Sequence, residues 1–241
     1  MTNTSTVTPE PSPAWLAFRV LDEPTRVFES LVRRPRALLP VLLLIIASIV
    51  VVYGIPTSVM RSATEERLKA MEQSRPGLVT PEMRAKAMEQ AGTSGRHVIA
   101  GVAVAGSLVS LLVVSAVLML AFNALSGAGI KFREEWSLVA HAYMPQVIGA
   151  LATLVGIIMV EDAQFRVSLG FLVSEDTSRF LHNFANQVTV FGAWNVYLLA
   201  VAHQVRTRDR SIATPMLLVG GLWMSVNLIG AILGTVFAAF M

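Results

Sequence analysis

Five long stretches of this sequence contain no Asp, Glu, Lys or Arg. They are residues 37–59, 98–125, 137–160, 183–205 and 214–241. A helix needs about 20 residues to cross a hydrocarbon core of roughly 30 Å, and one charged residue at its centre costs about 2.5–3.5 kcal/mol. Every stretch meets both requirements. The sequence therefore predicts an all-α fold, a polytopic transmembrane helical bundle of about five spans.

The composition agrees with a protein that exposes much of its surface to lipid. Hydrophobic residues make up 54% of the chain and charged residues 15%, whereas a soluble domain carries roughly 25% charged residues. The chain has no cysteine, which excludes disulfides, thiolate nucleophiles and Cys-ligated metals. Its net charge of +3 comes with arginines beside the apolar stretches. Such arginines orient spans and contact anionic headgroups, so we expect no nucleic-acid binding.

Two segments precede the first span. Residues 1–14 are rich in Thr, Ser and Pro and are predicted to be a disordered tail. Residues 15–36 are predicted to form an interfacial amphipathic helix, with Asp22 as its N-cap and an apolar face that includes Phe28. The remaining residues, 37–241, form the predicted transmembrane domain.

A polar region separates the first two spans. Within residues 61–96, Ser62 and Thr80 each have the spacing of a helix start, and the segment 74–77, Ser-Arg-Pro-Gly, is typical of a turn. The sequence predicts an extramembrane helical hairpin here.

The orientation of the bundle is predicted from its positive charges. Ten Lys and Arg residues fall on the side of the N-terminus and nine on the other side, so the count alone does not decide. Arg33, Arg34 and Arg36 directly precede the first span, and the segment 206–210 between the last two spans contains three more arginines. Because the first span usually dominates orientation, we expect a cytoplasmic N-terminus and a C-terminus outside.

The sequence contains no pattern typical of a catalytic, cofactor or metal site. Its histidines, His97, His141, His182 and His203, are not spaced by three or four residues. It has no phosphate-binding glycine loop, no nucleophile elbow and no acid pair within a span. His141 lies inside the third span and is interpreted as part of a packed helix start, in preference to a proton relay. We expect no enzymatic activity and no cofactor.

Small and amide residues within the spans are candidates for helix packing. They are Gly101, Ala105, Gly230, Gly234, Asn195 and Asn227. Small residues let helix backbones approach closely, and buried amides form interhelical hydrogen bonds. Packing inside the bundle is favoured over dimerisation, although homo-oligomerisation is left open.

A second group of residues is a candidate surface for a partner or for lipid. Its members are aromatic residues and arginines on the predicted cytoplasmic side: Phe28, Arg33, Arg34, Arg36, Phe132, Arg206, Arg208 and Arg210. These residue types are enriched at protein interfaces. The alternative is that the arginines only fix the topology and contact anionic headgroups.

Three segments carry a resemblance to a known family. Residues 22–28, Asp-Glu-Pro-Thr-Arg-Val-Phe, precede Arg-Pro-Arg-Ala-Leu-Leu-Pro at 34–40, and Gly-Ile-Lys-Phe-Arg at 129–133 leads to His-Ala-Tyr-Met-Pro at 141–145. The third segment is Trp-Asn-Val-Tyr-Leu-Leu at 194–199. Together they resemble the Yip-domain family, membrane proteins named for their interaction with Ypt/Rab GTPases, and its bacterial members in particular.

The resemblance implies a five-span bundle with a cytoplasmic N-terminus, in the cytoplasmic membrane of a bacterium. Eukaryotic relatives are linked to vesicle traffic and membrane organisation through partner binding, and the family offers no catalytic residues. We therefore expect a non-enzymatic integral membrane protein that acts by association with lipids and with a membrane or cytoplasmic protein. The rival hypotheses are a small transporter or channel component and an accessory subunit of a membrane complex. A transporter would favour broken helices and ionisable groups at the midplane.

Overall fold

The structure, a computed structural model, describes residues 12–173 and 178–240. Its α-helices are α1 (Pro13–Arg19), α2 (Pro24–Arg33), α3 (Leu38–Gly54), α4 (Thr57–Ser74), α5 (Pro81–Gln90), α6 (Thr93–Ser126), α7 (Phe132–Ala142), α8 (Met144–Val160), α9 (Arg179–Gln187), α10 (Val190–Thr207) and α11 (Ala213–Phe240). A 3₁₀ turn follows α8, and the described ranges contain no strand beyond a single bridge pair. The predicted all-α fold is confirmed. Most of the predicted disordered tail, residues 1–11, lies outside the described residues.

The long helices run alternately in opposite directions. Tyr53, late in α3, is hydrogen-bonded to His97, early in α6, so these two helices are antiparallel. Ser137 of α7 is hydrogen-bonded to the chain just before α3, whereas the end of α3 meets Leu154 of α8. The α7–α8 pair is therefore parallel to α3. We call the end of the bundle that carries α1 and α2 the amino-terminal end, and the end that carries α4, α5 and α9 the distal end.

Three helical segments are long and apolar enough to cross a membrane: Gly95–Ser126, Phe132–Val160 and Ala213–Val236. A fourth is added if α3 and α4, which meet at an angle of 77°, are counted as one span. Pro56 lies at this bend and has no backbone N–H to continue the helix. Arg96 donates hydrogen bonds to the carbonyls of Tyr53 and Ile55, at 3.0 and 2.6 Å, so the carbonyls freed by the bend are satisfied.

The predicted fourth span, residues 183–205, is a broken helix. It is divided into α9 and α10 at Val188, and the Thr189 side chain caps α10 by accepting the N–H of Gly192. Both pieces lie against α11, since Gln187 meets Gly230 and Val196 meets Gly220. The two helices therefore lie end to end along α11. This arrangement allows a fifth crossing, but the count of five remains a prediction.

The predicted third span begins earlier than expected and has a break. The helix α7 starts at Phe132, so Glu134 and Glu135 belong to it. The helix is interrupted at Tyr143, two residues before Pro145, as expected where a proline removes a helical hydrogen bond, and Phe132–Val160 still forms one candidate span.

The single interfacial helix predicted over residues 15–36 is replaced by two helices that pack on the protein. The side chains of Val27, Phe28 and Leu31 are fully buried, and α2 contacts α7 and α10. An apolar helix face gains similar free energy from a protein groove and from a membrane surface, so the sequence pattern did not distinguish them. The N-cap position also differs by one residue, because Pro24 is the first residue of α2 and follows Glu23.

The hairpin predicted over residues 61–96 is present with an earlier start. The helix α4 begins at Thr57 and continues through Ser62. Thr80 caps α5 by accepting the N–H of Met83 at 3.1 Å. An ion pair between Glu65 and Arg84 joins the two helices.

Candidate functional site

The amino-terminal end of the bundle is closely packed. Side chains from α1 and its C-cap, α2, α7 and α10 are fully buried there: Leu16, Val20, Val27, Phe28, Leu31, Leu138 and Leu198. Most exposed apolar residues lie instead on α3, α6, α8 and α11, where lipid would cover them. The amino-terminal end thus resembles the core of a soluble domain and forms a rigid platform.

A buried acid–base pair lies inside this core. The Glu135 Oε1 and His203 Nε2 atoms are 3.0 Å apart, and both side chains are completely buried. His203 Nδ1 lies 2.7 Å from the Leu199 carbonyl, which can only accept, so Nδ1 carries a proton. The ring of His203 also stacks on Phe122, with 3.8 Å between the centroids.

The pair therefore shares one proton. With Nδ1 protonated, the Glu135–His203 contact requires one further proton, either on Nε2 or on the carboxyl group. The two groups together are neutral in both cases, which lowers the cost of burying them. The second carboxyl oxygen of Glu135 has no hydrogen-bond partner in the part of the chain that the structure describes.

Two side-chain contacts beside this pair hold neighbouring segments against α7. Ser137 Oγ accepts the N–H of Arg36 and donates to the Arg36 carbonyl, both at 2.9 Å, which fixes the link between α2 and α3 on α7. Arg206 Nε donates to Glu134 and ties the end of α10 to the start of α7. These contacts bring α3, α7 and α10 together at one end.

Basic side chains surround this platform. Arg33, Lys131, Arg133, Arg208 and Arg210 are exposed. None of the five has an ion-pair partner among the described residues. We call these five residues the basic rim.

Other arginines at this end are paired. Arg19 forms an ion pair with Asp22, whose carboxylate raises the pKa of the guanidinium, and Arg26 pairs with Glu23. Because these pairs cancel their own charges, the basic rim gives the amino-terminal end an excess of positive charge.

Exposed aromatic residues accompany the basic rim. The exposed fraction of Phe18, on α1, is 57%, and that of Phe132, at the start of α7, is 40%. The Phe132 ring stacks on Trp136, and the Arg26 guanidinium lies 5.2 Å above the ring of Trp15. Exposed aromatic residues beside arginines are the residue types enriched at the centres of protein interfaces.

The structure changes the predicted partner surface in two places. Phe28 is fully buried under α2 and cannot contact a partner, and Arg206 is occupied by Glu134. Arg33, Arg34, Phe132, Arg208 and Arg210 are exposed at this end and Arg36 is partly buried. The sequence did not predict Phe18 as a surface residue, because residues 15–36 are predicted to form one helix. It did not predict the contact between Glu135 and His203 either, because these residues are 68 positions apart.

The two predicted packing glycines of α11 face a neighbouring helix, although Gly234 is exposed. A Cβ atom added to Gly230 would lie 2.4 Å from Gln187 Oε1, and one added to Gly234 would lie 3.7 Å from Asn183 Nδ2. Both glycines therefore face α9. Gly101 has no neighbour within 4 Å and Ala105 is exposed, so the packing expected of this pair has no partner within the described chain.

The two asparagines have different environments. Asn195, on α10, is buried, and its side-chain oxygen has no hydrogen-bond partner among the described residues. Asn227 donates instead to the Trp223 carbonyl of its own helix at 2.7 Å.

Within the described residues, no group of three His, Cys, Asp or Glu side chains could hold a metal ion. Comparison with curated proteins and with solved structures gives no match. The profile of the Yip1 domain matches residues 18–207, from the last two residues of α1 to the end of α10. It includes the three segments on which the resemblance rested, and the whole of α2. The chain therefore belongs to the Yip1 domain family, as an integral membrane protein built from apolar helices.

Proposed function

We propose that this chain is a non-enzymatic membrane protein that acts by association, and that its amino-terminal end binds a protein partner at the membrane. The observation that carries this proposal is the pairing of exposed Phe18 and Phe132 with the basic rim on a rigid, fully packed platform. A rigid surface loses little conformational entropy on binding. Lipid-facing residues elsewhere cannot select a soluble partner.

The charge of this end indicates the chemistry of the partner. The rim carries five cations without a carboxylate partner among the described residues, so an acidic partner surface would be complementary. We place the amino-terminal end in the cytoplasm of a bacterial cell because arginines flank the first span. In the alternative function, the arginines only contact anionic headgroups.

Two variants test the proposal. Phe18→Ala removes an exposed aromatic contact, and the triple variant Arg33→Gln, Arg208→Gln and Arg210→Gln removes three charges of the rim. We expect each to reduce the amount of partner cross-linked to the tagged full chain in native membranes by about tenfold or more. Thermal stability in detergent should change little, because all four side chains are exposed.

Arg67→Gln is the matched control, since Arg67 is an exposed arginine on α4 at the distal end. It should leave the cross-linked partners unchanged. If the triple variant keeps the full set of partners while its topology is intact, the arginines serve topology only. A solute flux in proteoliposomes that contain only this protein would contradict the association hypothesis.

A further inference from the structure

The distal half of the bundle contains a cavity of about 750 Å³ whose wall is partly apolar and partly polar. It lies between α3, α6, α8, α9, α10 and α11, and polar residues that line it are Gln146, Arg166, Asn186, Gln187, Thr189 and Asn227. A volume of this size accommodates a small organic ligand. The cavity lies in the half of the bundle opposite the platform proposed above to bind a partner, so the two sites are independent.

The lining of the cavity favours an anion. Arg166 is its one charged residue among those described, and no carboxylate lines it. The side chains of Arg166 and Gln146 make no hydrogen bond within the described chain, so their donors remain for a ligand. Arg166 is exposed at the distal edge of the cavity, where it attracts an anion and repels a cation.

The broken helix adds to this preference. The break between α9 and α10 lies at the cavity wall, where Gln187 and Thr189 line it. The α10 helix is 18 residues long and begins there, so the positive end of its dipole and its first free N–H groups lie beside the cavity. Irregular backbone within a membrane protein occurs where it lines a cavity, and helix N-termini at such breaks bind anionic groups.

One lining group favours a ligand that also donates a hydrogen bond. Asn227 is 8% exposed and donates its amide to the Trp223 carbonyl. The side-chain oxygen of Asn227, Oδ1, makes no hydrogen bond within the described chain. A hydroxyl group on the ligand would satisfy it.

We propose that this cavity binds a net-anionic, phosphate-bearing ligand with a hydroxyl group, held by Arg166, Gln146 and the N-terminus of α10. The same chemistry is found in the headgroup of an anionic glycerophospholipid and in a free glycerol phosphate. A lipid would enter from the side of the bundle and a solute from the aqueous phase.

The test uses the full chain in nanodiscs of phosphatidylcholine, with either phosphatidylglycerol in the bilayer or glycerol 3-phosphate in solution. We expect one addition to raise the Tm of the wild type. Arg166→Gln should weaken that ligand by about tenfold or more, since it removes a charge-assisted hydrogen bond. Ala103→Leu, which adds volume at the cavity wall, should abolish the shift in Tm.

Two controls separate the cavity from general effects of charge and size. Arg67→Gln removes an exposed distal arginine, and Ala105→Leu adds the same volume on the exposed face of α6. Both should retain the wild-type shift in Tm. A shift with phosphatidylglycerol alone assigns a lipid, and one with glycerol 3-phosphate assigns a solute. No shift with either ligand, or an equal shift in Arg166→Gln and Ala103→Leu, would overturn the proposal.

Discussion

A glutamate buried inside an apolar core costs several kcal/mol unless a partner offsets that cost. Glu135 meets this condition through His203, whose other nitrogen is fixed by the Leu199 carbonyl and whose ring lies against Phe122. The pair joins α7 to α10 at the point where α2 covers both helices. Its position indicates a structural role in holding the amino-terminal platform together.

The first prediction contrasts two substitutions of Glu135. Glu135→Ala leaves His203 without its partner and should destabilise the fold by about 3–5 kcal/mol. Glu135→Gln should cost much less, because its amide can donate to a neutral His203 Nε2. Thermal unfolding of both variants in the same detergent measures the difference. Equal loss of stability in the two variants would contradict the hydrogen-bond role.

At the scale of the helices, the broken pair α9–α10 depends on close contact with α11. Gly230 leaves room for Gln187, a residue beside the break. We predict that Gly230→Leu forces Gln187 aside and destabilises the fold by about 1–3 kcal/mol through overpacking. Gly221→Leu is the matched control, because Gly221 is on the same helix with no atom within 4 Å of an added Cβ.

The control should be neutral or slightly stabilising, since leucine has a higher helix propensity than glycine. Thermal unfolding and the oligomeric state in detergent are measured together. If Gly230→Leu abolishes a cross-linkable dimer without changing stability, the glycine serves dimerisation and the contact with Gln187 is incidental.

The helices themselves could be predicted from the sequence because lipid excludes charge from every long apolar stretch. The breaks near Pro56 and Pro145 also have a visible cause in the missing N–H of proline. The break at Val188 has no such signal, since it depends on Thr189 capping a new helix against α11. The burial of Phe28 was equally hidden, because the groove that receives it is formed by residues more than 100 positions later in the chain.

At the scale of the whole molecule, the two ends of the bundle differ in character. The amino-terminal end is a closely packed platform with a basic rim, whereas the distal half holds a cavity and a helical hairpin. The two candidate sites therefore lie in opposite halves of the bundle. Which compartment each end faces depends on the orientation and on whether α9 and α10 together cross the membrane.

The last prediction tests both points with single cysteines, since the native chain has none. With the N-terminus inside and five crossings, Thr25→Cys, Lys131→Cys and Ser211→Cys should resist a membrane-impermeant thiol reagent in intact cells. Gln73→Cys and Gln164→Cys, at the distal end, should react. All five positions are exposed and lie outside the long apolar helices. The reverse pattern would show the opposite orientation. If Ser211→Cys and Gln164→Cys both react, α9 and α10 do not cross the bilayer. The residue before these two helices and the residue after them would then lie in the same compartment.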